Sequence, residues 1–140
     1  MYQQDYILRM VDMFGEMIAV ILGLIKKGEY KQASLRLDKI YYDMLKQDSS
    51  FFHRIPEEEL TNKLLHEHNF TNGHLEILAG LFDAEAELKL AQGNRTESLE
   101  YSRKSLIIYE FIDKEFKIYS QERIDRMSAI RERLESLQKN

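Results

Sequence analysis

Apolar residues recur at helical spacing through most of this chain. Between residues 3 and 27, Tyr6, Met10, Met13, Phe14, Met17, Val20, Ile21 and Leu24 fall on one face of a helix, at intervals of three and four. A second stripe, Ile7, Val11, Ile18, Leu22 and Ile25, runs along another side. The C-terminal half of this helix is therefore apolar over most of its circumference and calls for more than one packing partner. Gly15, Ala19 and Gly23 stand four apart, a ridge of small side chains that lets a neighbouring backbone approach, within the chain or in a dimer. Lys26, Lys27 and Gly28 supply the cations and the glycine that end a helix well.

A second helix is predicted over 29–46, with Tyr30, Ala33, Leu37, Ile40, Tyr41 and Met44 inward. The turn is short, so the two helices are expected as antiparallel neighbours. The rhythm breaks over 48–73, where Pro56 and the acids Glu57, Glu58 and Glu59 read as the first turn of one short helix ending near His66. Phe51, Phe52, Ile55, Leu60, Leu64, Leu65 and Phe70 are expected to fold it back over the core. A fourth helix is predicted over 74–92, with Leu75, Leu78, Leu81, Phe82, Leu88 and Leu90 inward and Glu76, Gly80, Asp83 and Glu87 on its polar side. Asn94, followed three residues later by Glu97, has the form of a capping box and opens a helix over 95–111. A turn is expected at 112–114, with a continuous helix the alternative that periodicity alone allows. The final helix carries Phe116, Tyr119, Met127, Ile130, Leu134 and Leu137, a seam that Arg123 interrupts, while Arg126, Arg131, Glu132, Arg133 and Glu135 read as a solvated face.

The junctions IKKGEYKQASLRLDKI and LAQGNRTESLEYSRKSLIIY place Gly28 and Gly93 65 residues apart, close to two periods of a helical-hairpin repeat of about 34 residues. They resemble junctions of tetratricopeptide repeats. On that resemblance the turn glycine falls on Gly28 and Gly93, and the small positions of helix B on Ala33, Ser98 and Ser105. The large and small pair of helix A falls on Val20 with Ile21 and on Glu85 with Ala86, a departure at Ile21 and Glu85. IIYEFIDKEFKIYS, residues 107–120, resembles the turn into a further helix A, with Ile112 in place of the glycine. The likeness covers about 14–47 and 79–125, and the opening MYQQDYILRM resembles the start of a set of short bacterial proteins of unknown function. It implies an all-α fold of antiparallel helical hairpins stacked in a tetratricopeptide-like array, with five main helices and one short one. The expected division is a hairpin over 1–47, a linker over 48–73, a hairpin over 74–112 and a C-terminal helix over 113–138.

Composition narrows the function classes. The 140 residues carry a net charge of −4 and no cysteine, which gives no electrostatic reason to expect nucleic acid and no disulfide or thiolate chemistry. The longest apolar run, MIAVILGLI, has nine residues against the roughly 20 that a membrane helix needs. No membrane partner is expected, and the acids near the N-terminus do not fit a secretory leader, so a cytoplasmic protein is the expectation. His66, His68 and His74, with His53 upstream, form the one group that could ligate a metal. Residues two apart on a helix point about 200° from each other, so helix-end and surface histidines are the expectation instead. Asp83 and Glu87 lie one turn apart, but paired carboxylates do acid–base work only where a cleft separates their pKa values, and a solvated face is expected. No catalytic residue, metal or cofactor is expected.

The resemblance implies a protein or peptide binder whose groove is lined by exposed helix A positions. These fall on Asp83 and Glu87, on Lys117 and Gln121, and on Ile18, Leu22 and Ile25. The last three are apolar and are expected to be covered by the short middle helix or by a second subunit, making them the candidate self-association face of a homodimer. A structural bundle that only self-assembles, and a small-molecule or metal-dependent protein, stand as the other readings.

Overall fold

Both predicted glycine turns are built alike. Gly28 and Gly93 take positive φ, 79° and 82°. In each turn the glycine N–H donates to the carbonyl three residues back, Ile25 and Leu90, and the next residue donates five back, Glu29 to Leu24 and Asn94 to Lys89. This is the Schellman closure, which needs a residue free to go left-handed. The repeated phrase in the sequence is thus one helix stop used twice.

The computed structural model describes residues 2–139, with side chains from Tyr6 onward. The elements are α1 (Tyr2–Lys26), α2 (Tyr30–Leu45), α3 (Ser49–His53), a 3-10 turn (Glu57–Glu59), α4 (Leu60–Glu67), α5 (Asn72–Ala91), α6 (Arg95–Phe116) and α7 (Gln121–Gln138). The fold is all-α, with no strand among the described residues. Five long helices are present as expected. The middle segment holds two short helices rather than one: α3 was not anticipated, although the Asp48 side chain caps it by accepting from the Phe51 N–H at 3.0 Å. The expected turn at 112–114 is absent. α6 runs on to Phe116 because Ile112 is fully buried and Phe111 and Phe116 continue its packed face. The chain turns at Lys117, which takes φ 52° without a glycine.

α5 is the centre of the molecule. It packs against α1, α2 and α6, and nearly every residue from Ile77 to Ala86 is buried. α1 and α5 run parallel, since Gly73 lies against Ile7 and Val11 and Gly80 against Phe14. α5 and α7 are parallel too, with Glu76 bonded to Arg123 and Glu87 to Arg133. α6 lies antiparallel beside α5, tied by Ser98 Oγ to the Ala86 carbonyl at 2.8 Å and Ser105 Oγ to the Ala79 carbonyl at 2.6 Å. Ser98, Ser102 and Ser105 are fully buried, and their small size lets the two helices close.

The buried face of α1 is Met10, Phe14, Ile18, Ile21 and Ile25, which cuts between the two stripes read from the sequence. Tyr6, Met13 and Val20, expected inside, are at least half exposed. The ridge of Gly15, Ala19 and Gly23 meets no neighbouring backbone: a Cβ at Gly15 or Gly23 would have open space. The close approach lies on α5, where a Cβ at Gly80 would come within 2.5 Å of the Phe14 ring. Gly80→Val is expected to destabilise the fold by about 1–3 kcal/mol through overpacking. Thermal denaturation beside Gly15→Ala checks this, since Gly15→Ala should be neutral or slightly stabilising.

The middle segment packs on the α2 and α6 side. Phe52, Ile55, Leu60 and Leu64 are buried, Lys104 Nζ donates to the His53 carbonyl at 2.8 Å, and Arg103 pairs with Glu57 at 3.1 Å. It therefore does not cover Ile18, Leu22 and Ile25, as the sequence had suggested a middle helix would.

Candidate functional site

With the middle segment on the far side, a cleft stays open between α1 and α7 over the floor of α5. One part, about 170 Å³, is lined by Val11, Asp12, Phe14, Gly15 and Ile18 of α1, Glu76 and Gly80 of α5, Tyr109 of α6, Ser120 before α7, and Glu122, Arg123 and Arg126 of α7. The adjoining part, about 240 Å³, is lined by Ile18, Leu22, Ile25 and Lys26 of α1, Asp83, Ala84 and Glu87 of α5, and Arg126, Ala129 and Arg133 of α7. Ile18 and Arg126 belong to both. One wall is thus mainly apolar, with Asp12 and Lys26 toward its two ends, and the other carries a row of arginines beside Glu122.

The acids read as a solvated face are the anchor of that arginine wall. Glu76, Asp83 and Glu87 share one face of α5, and Arg123, Arg126 and Arg133 share one face of α7. Because the helices are parallel, the two rows meet in register. Arg123 bonds Glu76 at 2.5 Å, Arg126 bonds Asp83 at 3.2 Å, and Arg133 bonds Asp83 at 2.6 Å and Glu87 at 2.5 Å. Asp83 is 7% exposed and the Arg133 side chain 8%. Arg133 also donates from Nε to Ser102 Oγ at 2.8 Å, so all three guanidinium nitrogens are engaged. Arg123, which the sequence suggested breaks the α7 seam, is part of it. Its side chain is 3% exposed, held by Glu76, by Asp113 at 2.7 Å and by the Ile118 carbonyl. A guanidinium with five donors is the side chain able to satisfy so many acceptors in a desolvated place.

The candidate residues therefore separate. Asp83 and Glu87 are on the cleft floor, and Ile18, Leu22 and Ile25 form the wall facing them, so the two candidate sites are one. Ile18 and Ile25 are buried within the chain, which leaves half-buried Leu22 as the accessible part of that wall. Lys117 and Gln121 lie outside the cleft lining. Lys117 closes the α6–α7 turn, and Gln121 bonds the Tyr119 hydroxyl and Asp125. Arg126 and Arg133 were missed as site residues. The spacing that would have pointed to them is that of two helical faces, one acidic and one basic, on helices destined to lie parallel.

The opposite face of α5 carries a second polar cluster. Glu85 sits two residues from Asp83, about 200° round the helix. It is 6% exposed, and burial pushes its carboxyl up to about 7; Lys89 opposes the shift and Asp38 and Glu97 add to it. Lys89 pairs with Glu97 instead, at 3.8 Å. The Tyr41 hydroxyl, also in this region, is buried with no hydrogen-bond partner. The Tyr101 hydroxyl lies 2.9 Å from His53 Nδ1, and burial, with Lys104 next in weight, lowers His53 to about 4.

Two of the other histidines have structural roles, and His66 is exposed. His74 completes the capping box of α5, its Nδ1 accepting from the Thr71 N–H at 3.2 Å, and His68 packs edge-on against Phe51. No three metal-ligating side chains gather among the described residues, and none of the described helices is long and apolar enough to cross a membrane. Asn94 caps α6 as expected, while Asn69 is a left-handed turn residue, with Thr71 in the capping position. Comparison with known protein families, curated proteins and solved structures returns no match for this chain.

Proposed function

We propose that this protein is an interaction module that grips an amphipathic segment of a partner protein in the cleft between α1 and α7, on a scaffold of tetratricopeptide-like hairpins. The observation that carries this reading is the pairing of a mainly apolar wall with an arginine wall over one floor. Apolar side chains of the segment would lie against half-buried Val11 and Leu22. Its carboxylates or carbonyls would meet Arg126, which is 31% exposed and bonded to a single acid, leaving donors free. The scaffold reading is supported by the parallel set α1, α5 and α7, alternating with α2 and α6, and by the two matching glycine turns. The floor acids Asp83 and Glu87 accept from arginines, which favours a binding role over proton transfer. No catalytic step is assigned.

Affinity capture from the native host tests the proposal. Leu22→Glu puts a charge on the aliphatic wall and Arg126→Glu reverses the exposed cation; each is expected to reduce recovery of the partner at least about tenfold. Lys63→Glu on α4, away from the cleft, should leave recovery unchanged. A partner indifferent to both cleft substitutions, or none recovered by the wild-type chain, would count against the cleft.

A further inference from the structure

The two ends of the helix stack differ. α7 turns a polar surface outward, with Glu122, Asp125, Arg131, Glu132 and Glu135 exposed and Ile124 as its one large exposed apolar residue. Such a surface is what a terminal helix of a stack needs. At the other end the α1–α2 layer packs on α5 through one side, and among the described residues positions on its opposite side are exposed. The α1 part of that outer side is apolar, whereas the exposed positions of α2 beside it include Arg36, Lys39 and Asp43. Met13 is 51% and Val20 50% exposed, and Met17 and Leu24 continue the stripe at helical spacing. Beside α2 the stripe becomes a shallow cleft of about 280 Å³, floored by Met17, Val20, Ile21 and Ile40 and rimmed by Glu16, Arg36, Lys39 and Asp43.

The rim indicates what covers it. Lys39 and Asp43 pair with each other at 3.2 Å. Glu16 on α1 and Arg36 on α2, both exposed, make no ion pair among the described residues. The patch thus offers one unmatched acid on one helix and one unmatched base on the other. A two-fold axis running along the helices, between α1 and α2, keeps every residue at its own height and lays α1 over the α2 of a second copy. Glu16 and Arg36 line the same cleft, about 6 Å apart along the helices counted from the Gly28 turn, so each Glu16 then lies within side-chain reach of an unmatched Arg36 across the axis, twice over, as an isologous interface requires.

We propose that this outer face of α1 and α2 is a homodimer interface, distinct from the partner cleft. With 25 and 16 residues, α1 and α2 are about 37 and 24 Å long and about 10 Å wide, a footprint of roughly 600 Å². Covered over their full length, the two helices would thus bury less than the roughly 800 Å² per partner of a standard interface, which puts the dimer at the weak end of that class. The dimer leaves the α1–α5–α7 cleft of each copy open on another side, so it doubles the binding sites.

Sedimentation of the full chain across a concentration series tests this, with circular dichroism to confirm that each variant folds. The wild-type chain is expected to be a dimer. Val20→Glu, at a half-exposed position, should weaken the dimer about tenfold or more. Glu16→Arg should weaken it comparably, and the double variant Glu16→Arg with Arg36→Glu should restore it. A wild-type monomer at every concentration overturns the proposal. So does a dimer that survives Val20→Glu but is lost in Leu22→Glu, which would move the contact to the cleft. Failure of the double variant to restore the dimer overturns the two-fold arrangement.

Discussion

Arg123→Ala is expected to lower the unfolding free energy by about 3 kcal/mol, the low end of the range for breaking a buried ion pair from one side. The side chain is 3% exposed and answers three acceptors on three segments: Glu76 of α5, Asp113 of α6 and the Ile118 carbonyl in the turn before α7. Its loss leaves the Glu76 and Asp113 carboxylates facing a cavity. Because those two are 26% and 41% exposed, water can recover part of the loss, which sets the lower figure. Arg123→Lys should recover little, since a single ammonium cannot meet acceptors in three directions. Urea denaturation checks both: the midpoint should fall by roughly 1.5 M at unchanged slope if the slope is about 2 kcal/mol/M. A shift below about 0.5 M would mean the cluster contributes no net stability. By contrast, a surface pair such as Lys139 with Glu135 at 3.8 Å should be removable at almost no cost.

Glu85→Gln should stabilise the protein at pH 8 by about 3 kcal/mol, which is the folded-state shift from 4.5 to about 7 expressed as energy. A carboxyl whose folded pKa is raised binds more protons in the native state than in the unfolded one. Its penalty is absent below about pH 4.5, grows through the window up to about 7, and is complete above it. The wild-type curve alone will not isolate this term. His53, lowered from 6.5 to about 4, is neutral in the fold and must be deprotonated on folding, so its contribution rises with pH over an overlapping window. The difference between wild-type and Glu85→Gln stability, measured by denaturant titration from pH 4 to 8, removes His53. It should open from near zero to its full value as pH rises. A flat difference would mean that Glu85 is hydrated in solution.

What the sequence made legible was local. The stops at Gly28 and Gly93, the cap at Asn94 and the inward face of α2 each depend on residues a few positions apart, and all stand in the structure. α3 escaped because five residues are too few for a periodic stripe, though Asp48 was there to cap it. The α6–α7 turn was misplaced because an Asp and a Lys near Ile112 read as a break, while the true stop is a left-handed Lys117 with no glycine to announce it. The larger miss concerns α5. Its face bearing Glu76, Asp83 and Glu87 reads as solvent-facing, and it is covered because the compensating arginines arrive 43 to 50 residues later in the chain. Hydrophobic periodicity registers polarity and is blind to pairing at that distance. The same blindness divided the cleft, assigning its aliphatic wall to a dimer and its floor to a partner.

The arginine row also joins segments far apart in the chain. The α5–α6 hairpin closes through near neighbours, the Ser98 bond spanning 12 residues, whereas every α5–α7 bond spans more than 40. Loop closure favours the hairpin first, and until α7 arrives Asp83 keeps its water and the cleft has one wall. The surface proposed to meet a partner therefore exists only once α1, whose Phe14 meets Gly80 across a still longer stretch of chain, and α7 have both docked on the hairpin.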